Sequence, residues 1–364
     1  MANEYTLLGW DISYFTGKVR SYLRYKGVPF RERPITLPEF MVLAPRRTGA
    51  AAMPIVVTPE GQWLQDSSVI IDILEQRFAA HSVLPATPVQ RLVACLLEIW
   101  GDEFWVPVGL HTRWSHPENY RRFEQEAGRG LLPDFPQRLQ KRAAAFAANK
   151  MRDHLAHVGI VPAQIPALDA WTDAMLDLLE QHFAACPYLL GERASLADFG
   201  LIGPLYAHLA TDPWPQRELI AKRPHVQAYI HRMMQPPGSY GEFPADDGLP
   251  TTLLPLLEAV LHDMTPWLEG TINEFNRFVV GRPDRRAIPR SLGKISYPLG
   301  DQSYSRASMP YMLWMVQRLR DSIGLMAPAA QARARGFLKD REANEWLDVP
   351  LPRLARTGLT IRVL

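Results

Sequence analysis

The sequence predicts an α/β domain with elements in the order β-α-β-α-β-β-α, followed by an all-helical domain and a C-terminal extension. A β-prone run, a helical pattern and a second β-prone run follow one another within about 35 residues, as two parallel strands joined by a crossover helix require. Further along, apolar residues recur at helical spacing without a strand pattern up to about residue 234. The predicted domain boundaries are 1–82, 88–238 and 250–364.

The first domain is predicted to begin with a strand over residues 5–9 and a helix over 16–26. A second strand over 30–35 is expected at the sheet edge, because Pro34 has no backbone donor for a central position. Residues 37–52 are irregular or form a short helix.

The chain from residue 53 to 65 has the pattern of a β-hairpin around a Pro-Glu-Gly turn. Asp66 and Ser67 then supply capping chemistry for a helix. Further helices are predicted over 88–106, 118–127, 133–157, 166–185, 195–210, 223–234, 253–279 and 309–324, with a Pro- and Gly-rich linker over 235–250 and a short strand over 359–364.

Composition argues against several classes of partner. Forty Lys and Arg against 38 Asp and Glu give a formal charge of +2, so no strong field attracts nucleic acid or an anionic membrane. No apolar run reaches the roughly 18 residues of a membrane span, and the start of the chain lacks a basic stretch followed by an apolar core. We therefore expect a cytoplasmic protein with neither nucleic acid nor membrane as partner.

Metal and redox motifs are also missing from the sequence. Cys95 and Cys186 cannot form a disulfide framework or a four-ligand zinc site, and both are expected in the core. His154 and His157 have a spacing that can hold a metal but lack a convincing third ligand, so no metal is expected. The chain contains no Gly-x-Gly-x-x-Gly, no phosphate loop and no Cys-x-x-Cys.

Three local stretches carry more specific information. In the run 10–20, WDISYFTGKVR, a serine stands five positions before a basic residue that is followed by Val. Met53-Pro54 precedes Ile-Val-Val, and Asp66-Ser67 follows the hairpin. The run 189–199, LLGERASLADF, contains a capping box at a helix start, to which we assign a structural role.

In this order and spacing, these stretches resemble the glutathione S-transferase superfamily over roughly residues 5–235. The resemblance implies a thioredoxin-like N-terminal domain, an all-helical glutathione S-transferase C-terminal domain, glutathione as cosubstrate and a homodimer. In the Ser- and Cys-type members, the catalytic residue occupies the position of Ser13. The resemblance also implies that Pro54 is cis, which leaves the Met53 backbone free to pair with a peptide-like ligand.

Elementary chemistry supports these roles. The start of the Ser67 helix offers free N–H donors and partial positive charge to the carboxylate of a γ-glutamyl group, and Asp66 can accept from its ammonium. Alternatively, Asp66 and Ser67 only cap their helix. A free thiol has a pKa near 8.5, and a hydroxyl that donates to the sulfur lowers it. Ser13 is the preferred donor, Tyr14 is its rival, and Thr16 is interpreted as the helix cap.

The sequence departs from the family in two places. Many members carry a basic residue just before the residue that precedes the cis-proline, but here that position is Ala52. Arg46 or Arg47 could replace this contact, or both could be solvated surface arginines. The chain beyond about residue 250 exceeds the usual length of the family and either caps the cleft or packs on the helical domain.

A second substrate is expected between the two predicted domains. An aromatic cluster suits an apolar acceptor there, although the same residues could be core; it comprises Trp100, Phe104, Trp105, His111 and Trp114. We therefore predict a glutathione-dependent transferase in which Ser13 stabilises the thiolate for attack on a small hydrophobic electrophile. Conjugation, dehalogenation, ether cleavage and isomerisation all stay open. The alternative is a non-catalytic member that keeps the scaffold for ligand binding or assembly.

Overall fold

The computed structural model describes residues 4–282 and 286–364, and its N-terminal region forms a four-stranded sheet. The strands are β1 (Tyr5–Leu8), β2 (Phe30–Arg33), β3 (Ile55–Val57) and β4 (Trp63–Gln65), in the order β2-β1-β3-β4. β2 runs parallel to β1, whereas β3 and β4 are antiparallel to their neighbours. The helices between them are α1 (Tyr14–Tyr25), α2 (Ala44–Thr48) and α3 (Ser67–Arg77). This is the predicted thioredoxin-like arrangement.

Local chemistry explains the boundaries of these elements. All four residues of β1 are buried, as a central strand requires. β2 is an edge strand and ends at Arg33, directly before Pro34, which agrees with the prediction. Gly27 follows α1 with φ +62°, a left-handed conformation that glycine adopts without steric cost.

Helices follow almost without interruption from residue 88. They are α4 (Pro88–Ile99), α5 (Val106–Trp114), α6 (Pro117–Leu131), α7 (Gln137–Arg152), α8 (Ile165–Ala185), α9 (Leu196–Pro204), α10 (Pro213–Pro215) and α11 (Pro224–Met233). Six of these eight helices have a proline at the first or second position, where its missing N–H is not needed. The predicted helices over 88–106 and 195–210 each contain a π-helical turn, at Trp100–Phe104 and Leu205–Ala210.

The predicted capping box at the start of α9 is present. The Asp198 carboxylate accepts from the Ser195 N–H at 2.8 Å and from the Ser195 hydroxyl at 2.9 Å. Its second oxygen accepts from the Leu189 N–H at 2.9 Å. The segment therefore has the structural role that we assigned to it.

The extension contains more regular structure than the sequence predicts. Its elements are α12 (Leu254–Val280), β5 (Lys294–Leu299), β6 (Gln302–Ala307), α13 (Met312–Gly324), α14 (Pro328–Lys339), α15 (Glu345–Asp348), β7 (Leu354–Thr357) and β8 (Thr360–Val363). The β5–β6 hairpin was not predicted, because Pro298 lies within β5 and the charged Arg306 faces inward from β6.

The chain divides into two compact units that are discontinuous in sequence. The first unit comprises residues 1–82, 105–155 and 199–240, and the second comprises 83–104, 156–198 and 241–364. In the second unit, the buried Arg306 guanidinium lies 4.7 Å from the centroid of the Trp267 ring and 5.7 Å from that of Phe104. This cation–π arrangement explains how β6 accommodates an inward charge.

The two cysteines differ in burial. Cys95 is buried on α4, as predicted, whereas Cys186 follows α8 and is half-buried, so the prediction of a core position is wrong for it. None of the helices in the described residues combines the length and the apolar character needed to cross a membrane.

Candidate functional site

Ser13 is the N-cap of α1. Its side-chain oxygen accepts from the Thr16 N–H at 3.4 Å, and its hydroxyl proton has no acceptor among the described residues. The residue is half-buried, so this proton is available to a ligand. The interpretation of Thr16 as the helix cap is wrong, because Ser13 is the N-cap and Thr16 lies in the first turn of α1, where it is fully buried and packs against Gly9. A Cβ at Gly9 would lie 2.3 Å from the Thr16 hydroxyl oxygen, so only glycine fits there.

Tyr14 lies in a different environment from Ser13. Its side chain is 9% exposed, and its ring packs against the rings of Phe15 and His208, with centroids 4.8 and 5.6 Å away. A Cβ at Gly203 would lie 2.9 Å from the Tyr14 ring. Tyr14 is therefore embedded among the helices of the first unit, whereas Ser13 is accessible.

Arg113 on α5 anchors the loop that carries Ser13. Its guanidinium donates to the Ile12 carbonyl at 2.8 Å and to the Ala207 carbonyl at 2.5 Å. It also forms a buried ion pair with Asp212, 2.8 Å between Nε and Oδ2. Burial raises the pKa of Asp212, and the charge of Arg113 opposes that rise. The sequence offered no signal for this pair, whose members are 99 positions apart.

Asp66 caps α3 from a backbone conformation with positive φ, at φ 84° and ψ 124°. Its carboxylate accepts from the Ser68 N–H at 3.1 Å and from the Val69 N–H at 3.2 Å, so the capping role is real. The N–H and the hydroxyl of Ser67 form no hydrogen bond with another described residue. The helix thus keeps two donors at its positive end for an anionic group.

A buried polar seam joins α1 to α3. The fully buried Lys18 donates to the Ser68 hydroxyl at 3.1 Å. One turn further along α1, the Tyr22 hydroxyl donates to Glu75 at 2.8 Å, and Lys26 pairs with the same carboxylate at 2.9 Å. Burial, reinforced by Glu75, raises the pKa of Tyr22. The seam fixes the two helix N-termini relative to each other.

The Met53–Pro54 peptide bond is cis, as the resemblance implied. Pro54 is buried and Met53 is half-buried at the start of β3. The Met53 backbone forms no hydrogen bond within the described part of the chain, so its polar groups are available to a ligand. Arg46 and Arg47 are both exposed on α2 and pair with none of the described residues.

The predicted acceptor residues are buried. Trp100 belongs to the second unit, where it contacts Trp171, and is fully buried; Trp105 is fully buried in the first unit. His111 is 3% exposed and hydrogen bonds to Ser115 at 2.8 Å. Trp114 is 9% exposed and shares an apolar cluster with Ile12 and Phe123, next to the Ser13 loop. Within residues 4–282 and 286–364, no group of three or more His, Cys, Asp or Glu side chains could hold a metal.

Two family models match the chain. The model of the glutathione S-transferase N-terminal domain matches residues 7–82, and that of the glutathione S-transferase C-terminal domain matches residues 163–237. Together with the thioredoxin-like sheet and the helices that follow it in the chain, they define the class: the matched residues form an N-terminal and a C-terminal domain of the glutathione S-transferase superfamily.

Several solved structures match part of the chain at low sequence identity. A glutathione S-transferase of Methylobacterium radiotolerans, in complex with glutathione sulfonate, is 18% identical over 67% of this chain and 98% of its own, with a TM-score of 0.39. A GST-like protein of Pseudomonas syringae is 16% identical over 69% of this chain and 80% of its own, with a TM-score of 0.42. A glutathione S-transferase of Methylobacillus flagellatus, with GSH bound, is 17% identical over 63% of this chain and 94% of its own, with a TM-score of 0.36. No curated protein matches the sequence.

Acidification is expected to destabilise the first unit through His208. Burial, reinforced by the charge of Arg113, holds the pKa of His208 well below its usual value near 6.5, although a hydrogen bond to the Gly109 backbone opposes this. Below about pH 6.5 the unfolded chain therefore binds a proton that the folded chain excludes, and stability falls by up to about 1.4 kcal/mol per pH unit.

Thermal unfolding between pH 7 and 5.5 measures this effect. We expect His208→Gln to flatten the pH dependence of the melting temperature, whereas His231→Gln, at an exposed position of α11, leaves it unchanged. Equal slopes for wild type and His208→Gln would contradict the prediction.

Proposed function

We propose that the chain is a glutathione-dependent transferase whose first unit binds glutathione across the N-termini of α3 and α1. One observation carries the proposal: Ser13, the N-cap of α1, and Ser67, the first residue of α3, each have a hydroxyl proton with no acceptor among the described residues. The Lys18–Ser68 hydrogen bond holds these helices together in the buried seam. Two donors at a fixed separation suit a ligand that carries a carboxylate at one end and an ionisable thiol a few bonds away.

The γ-glutamyl end of glutathione belongs at α3 in this proposal. Its carboxylate accepts from the N–H and the hydroxyl of Ser67, where the helix dipole adds positive charge. The Asp66 carboxylate, held by its own capping bonds, faces the ligand's ammonium. The free backbone groups of Met53 pair with the peptide part of the ligand. Arg46 on α2 supplies a cation in place of a basic residue at position 52.

The thiol belongs at Ser13. The Ser13 hydroxyl donates to the sulfur, the thiol proton leaves to solvent, and the thiolate attacks an electrophilic carbon. In a conjugation, a sulfur–carbon bond forms while the leaving group departs with its electron pair. The accessibility of Ser13 supports it over Tyr14, which is packed among helices.

The acceptor is a small hydrophobic electrophile beside the Ser13 loop. We place it against the cluster of Trp114 and Ile12. Trp105, the N-cap of α5, and His111 within α5 are buried and belong to the helix that carries Trp114. Trp100 receives no role, because its burial in the second unit is explained by packing on Trp171. The proposal includes a cytoplasmic homodimer, which membership of the superfamily favours.

Titration calorimetry with glutathione tests the binding half of the proposal. Asp66→Asn is the sharpest variant, because asparagine caps a helix as well as aspartate and is, like aspartate, enriched at positive φ, so the main loss is the charge. We expect it to weaken binding roughly 10- to 100-fold, and Ser67→Ala to do the same, because hydrogen bonds to charged groups contribute about 1.5–3 kcal/mol. Asp301→Asn, at the exposed tip of the β5–β6 hairpin, is the matched control.

Two results would overturn this scheme in different ways. Failure of the wild type to bind glutathione at millimolar concentration would exclude glutathione as the ligand. Binding without a thiolate absorbance band and without turnover would favour the alternative, a non-catalytic ligand-binding or scaffold protein, which Ala52 and the long extension also favour.

A further inference from the structure

Helix α7 presents an apolar ridge to solvent. Phe146 is 60% exposed and Leu139 is 36% exposed, and seven residues, or two helical turns, place them on one face. Phe135, just before the helix, is 52% exposed. The buried side of α7 is formed by Ala144 and Ala148, which pack in the cluster with α6. We call the side chains of Leu139 and Phe146, with Phe135, the α7 ridge.

Basic side chains flank the α7 ridge. The helix contains five basic residues and no acidic one: Arg138, Lys141, Arg142, Lys150 and Arg152. Arg142 and Lys150 precede and follow Phe146 by four positions, which places them about 40° to either side of it. Arg138 and Arg142 pair with no carboxylate among the described residues.

Two of the five cations are engaged within the α6–α7 hairpin. Lys141 lies 3.6 Å from Glu124, and the Arg152 guanidinium stacks over Trp114 and Tyr120, 5.2 and 5.0 Å from the ring centroids. The Lys150 ammonium lies 5.8 Å from the Phe146 ring centroid and is otherwise solvated. The cations left for a partner are thus the three that border the ridge.

We propose that the α7 ridge docks on the surface of an anionic lipid bilayer, with α7 lying in the interface. Exposed Phe and Leu can enter the boundary between headgroups and acyl chains, while Arg138, Arg142 and Lys150 bind lipid phosphates. The exposed apolar side chains and the cations beside them match the two layers of such a surface, its acyl chains and its phosphates. A second copy of the chain would bring like charges together on both sides of the ridge, which disfavours self-association through this face.

This inference goes beyond the proposed transferase activity and needs no glutathione. The formal charge of +2 led us to expect no membrane partner, but a whole-chain charge does not report a local concentration on one helix. Surface docking also requires no membrane-spanning helix.

Vesicle co-sedimentation tests the inference directly with the full chain. We expect the wild type to bind phosphatidylcholine vesicles that contain 25% phosphatidylserine, to bind pure phosphatidylcholine weakly, and to dissociate at high salt. At about 1 kcal/mol per cation, Arg138→Gln with Arg142→Gln should weaken partition about thirtyfold. Leu139→Glu with Phe146→Glu should abolish it. Leu325→Glu, at a site that is 89% exposed in the second unit, and Arg290→Gln are the matched controls and should bind as wild type does.

Circular dichroism confirms that each variant is folded before the comparison, which the exposure of these sites favours. Equal binding to neutral and anionic vesicles would overturn the inference, as would retention of binding by the double glutamate variant. Light scattering tests whether a second copy of the chain occupies the ridge instead. A concentration-dependent dimer that is disrupted only in the double glutamate variant, while that variant still binds vesicles, would also overturn the inference.

Discussion

Ser13→Ala is expected to raise the pKa of the bound glutathione thiol by about one to two units. A hydrogen bond to a charged group contributes about 1.5–3 kcal/mol, and 1.36 kcal/mol corresponds to one pKa unit. At neutral pH the thiolate fraction, and with it the rate of attack on an electrophile, should fall roughly 10- to 100-fold. The measurements are the ultraviolet absorbance of the bound thiolate against pH and the pH dependence of turnover.

Two companion variants separate the chemistry from the helix cap. Ser13→Ala also removes the N-cap of α1, at a cost of about 1 kcal/mol of stability, whereas Ser13→Thr keeps both the cap and the hydroxyl. Tyr14→Phe removes the rival hydroxyl and should leave the thiol pKa within a few tenths of a unit. If Tyr14→Phe raises the thiol pKa and Ser13→Ala does not, the assigned roles are reversed.

Arg113→Met should cost about 3–5 kcal/mol of unfolding free energy, a large part of the stability of an ordinary domain. The change leaves the Asp212 carboxylate, whose side chain is 1% exposed, without its counter-ion. It also removes the hydrogen bonds to the carbonyls of Ile12 and Ala207. Chemical denaturation followed by tryptophan fluorescence measures the loss.

A double substitution identifies the source of that loss. Because the cost comes mainly from stranding a buried charge, Arg113→Met with Asp212→Leu should recover much of the stability lost in the single variant. Arg217→Met on the surface, where the partner is the exposed Glu118, should cost little stability, because solvent screens the pair. Equal losses of unfolding free energy in Arg113→Met and Arg217→Met would show that the buried pair contributes no more to stability than the surface pair.

The N-terminal fold was accessible from the sequence because its signals are local. The edge position of β2 follows from Pro34, and the capping role of Asp66 follows from its place between a hairpin and an amphipathic run. The cis state of Pro54 came from the family resemblance and not from local physics. Local patterns therefore located the parts of the candidate site that lie at element boundaries.

The unpredicted features depend on contacts between distant residues. Lys18 meets Ser68 across 50 positions, and no periodicity in α1 distinguishes a buried lysine from a solvated one. The same holds for the aromatic cluster, because sequence spacing could not predict that Trp100 and Trp105 are fully buried and belong to different units. In the β5–β6 hairpin, the Gly300-Asp301 pair at the turn, with φ +58° at Gly300, is the one signal that could have offset Pro298.

The discontinuity of the first unit has a consequence for synthesis of the protein. Ser21 and Arg24 of α1 donate to the carbonyls of Met233 and Met234, near the end of that unit. After residue 82 has been synthesised, about 150 further residues must therefore be translated before these acceptors exist. At 5–20 residues per second this takes roughly 8–30 s. The first unit is therefore incomplete for much of translation, and a fragment that ends at residue 82 is not expected to fold as it does in the whole protein.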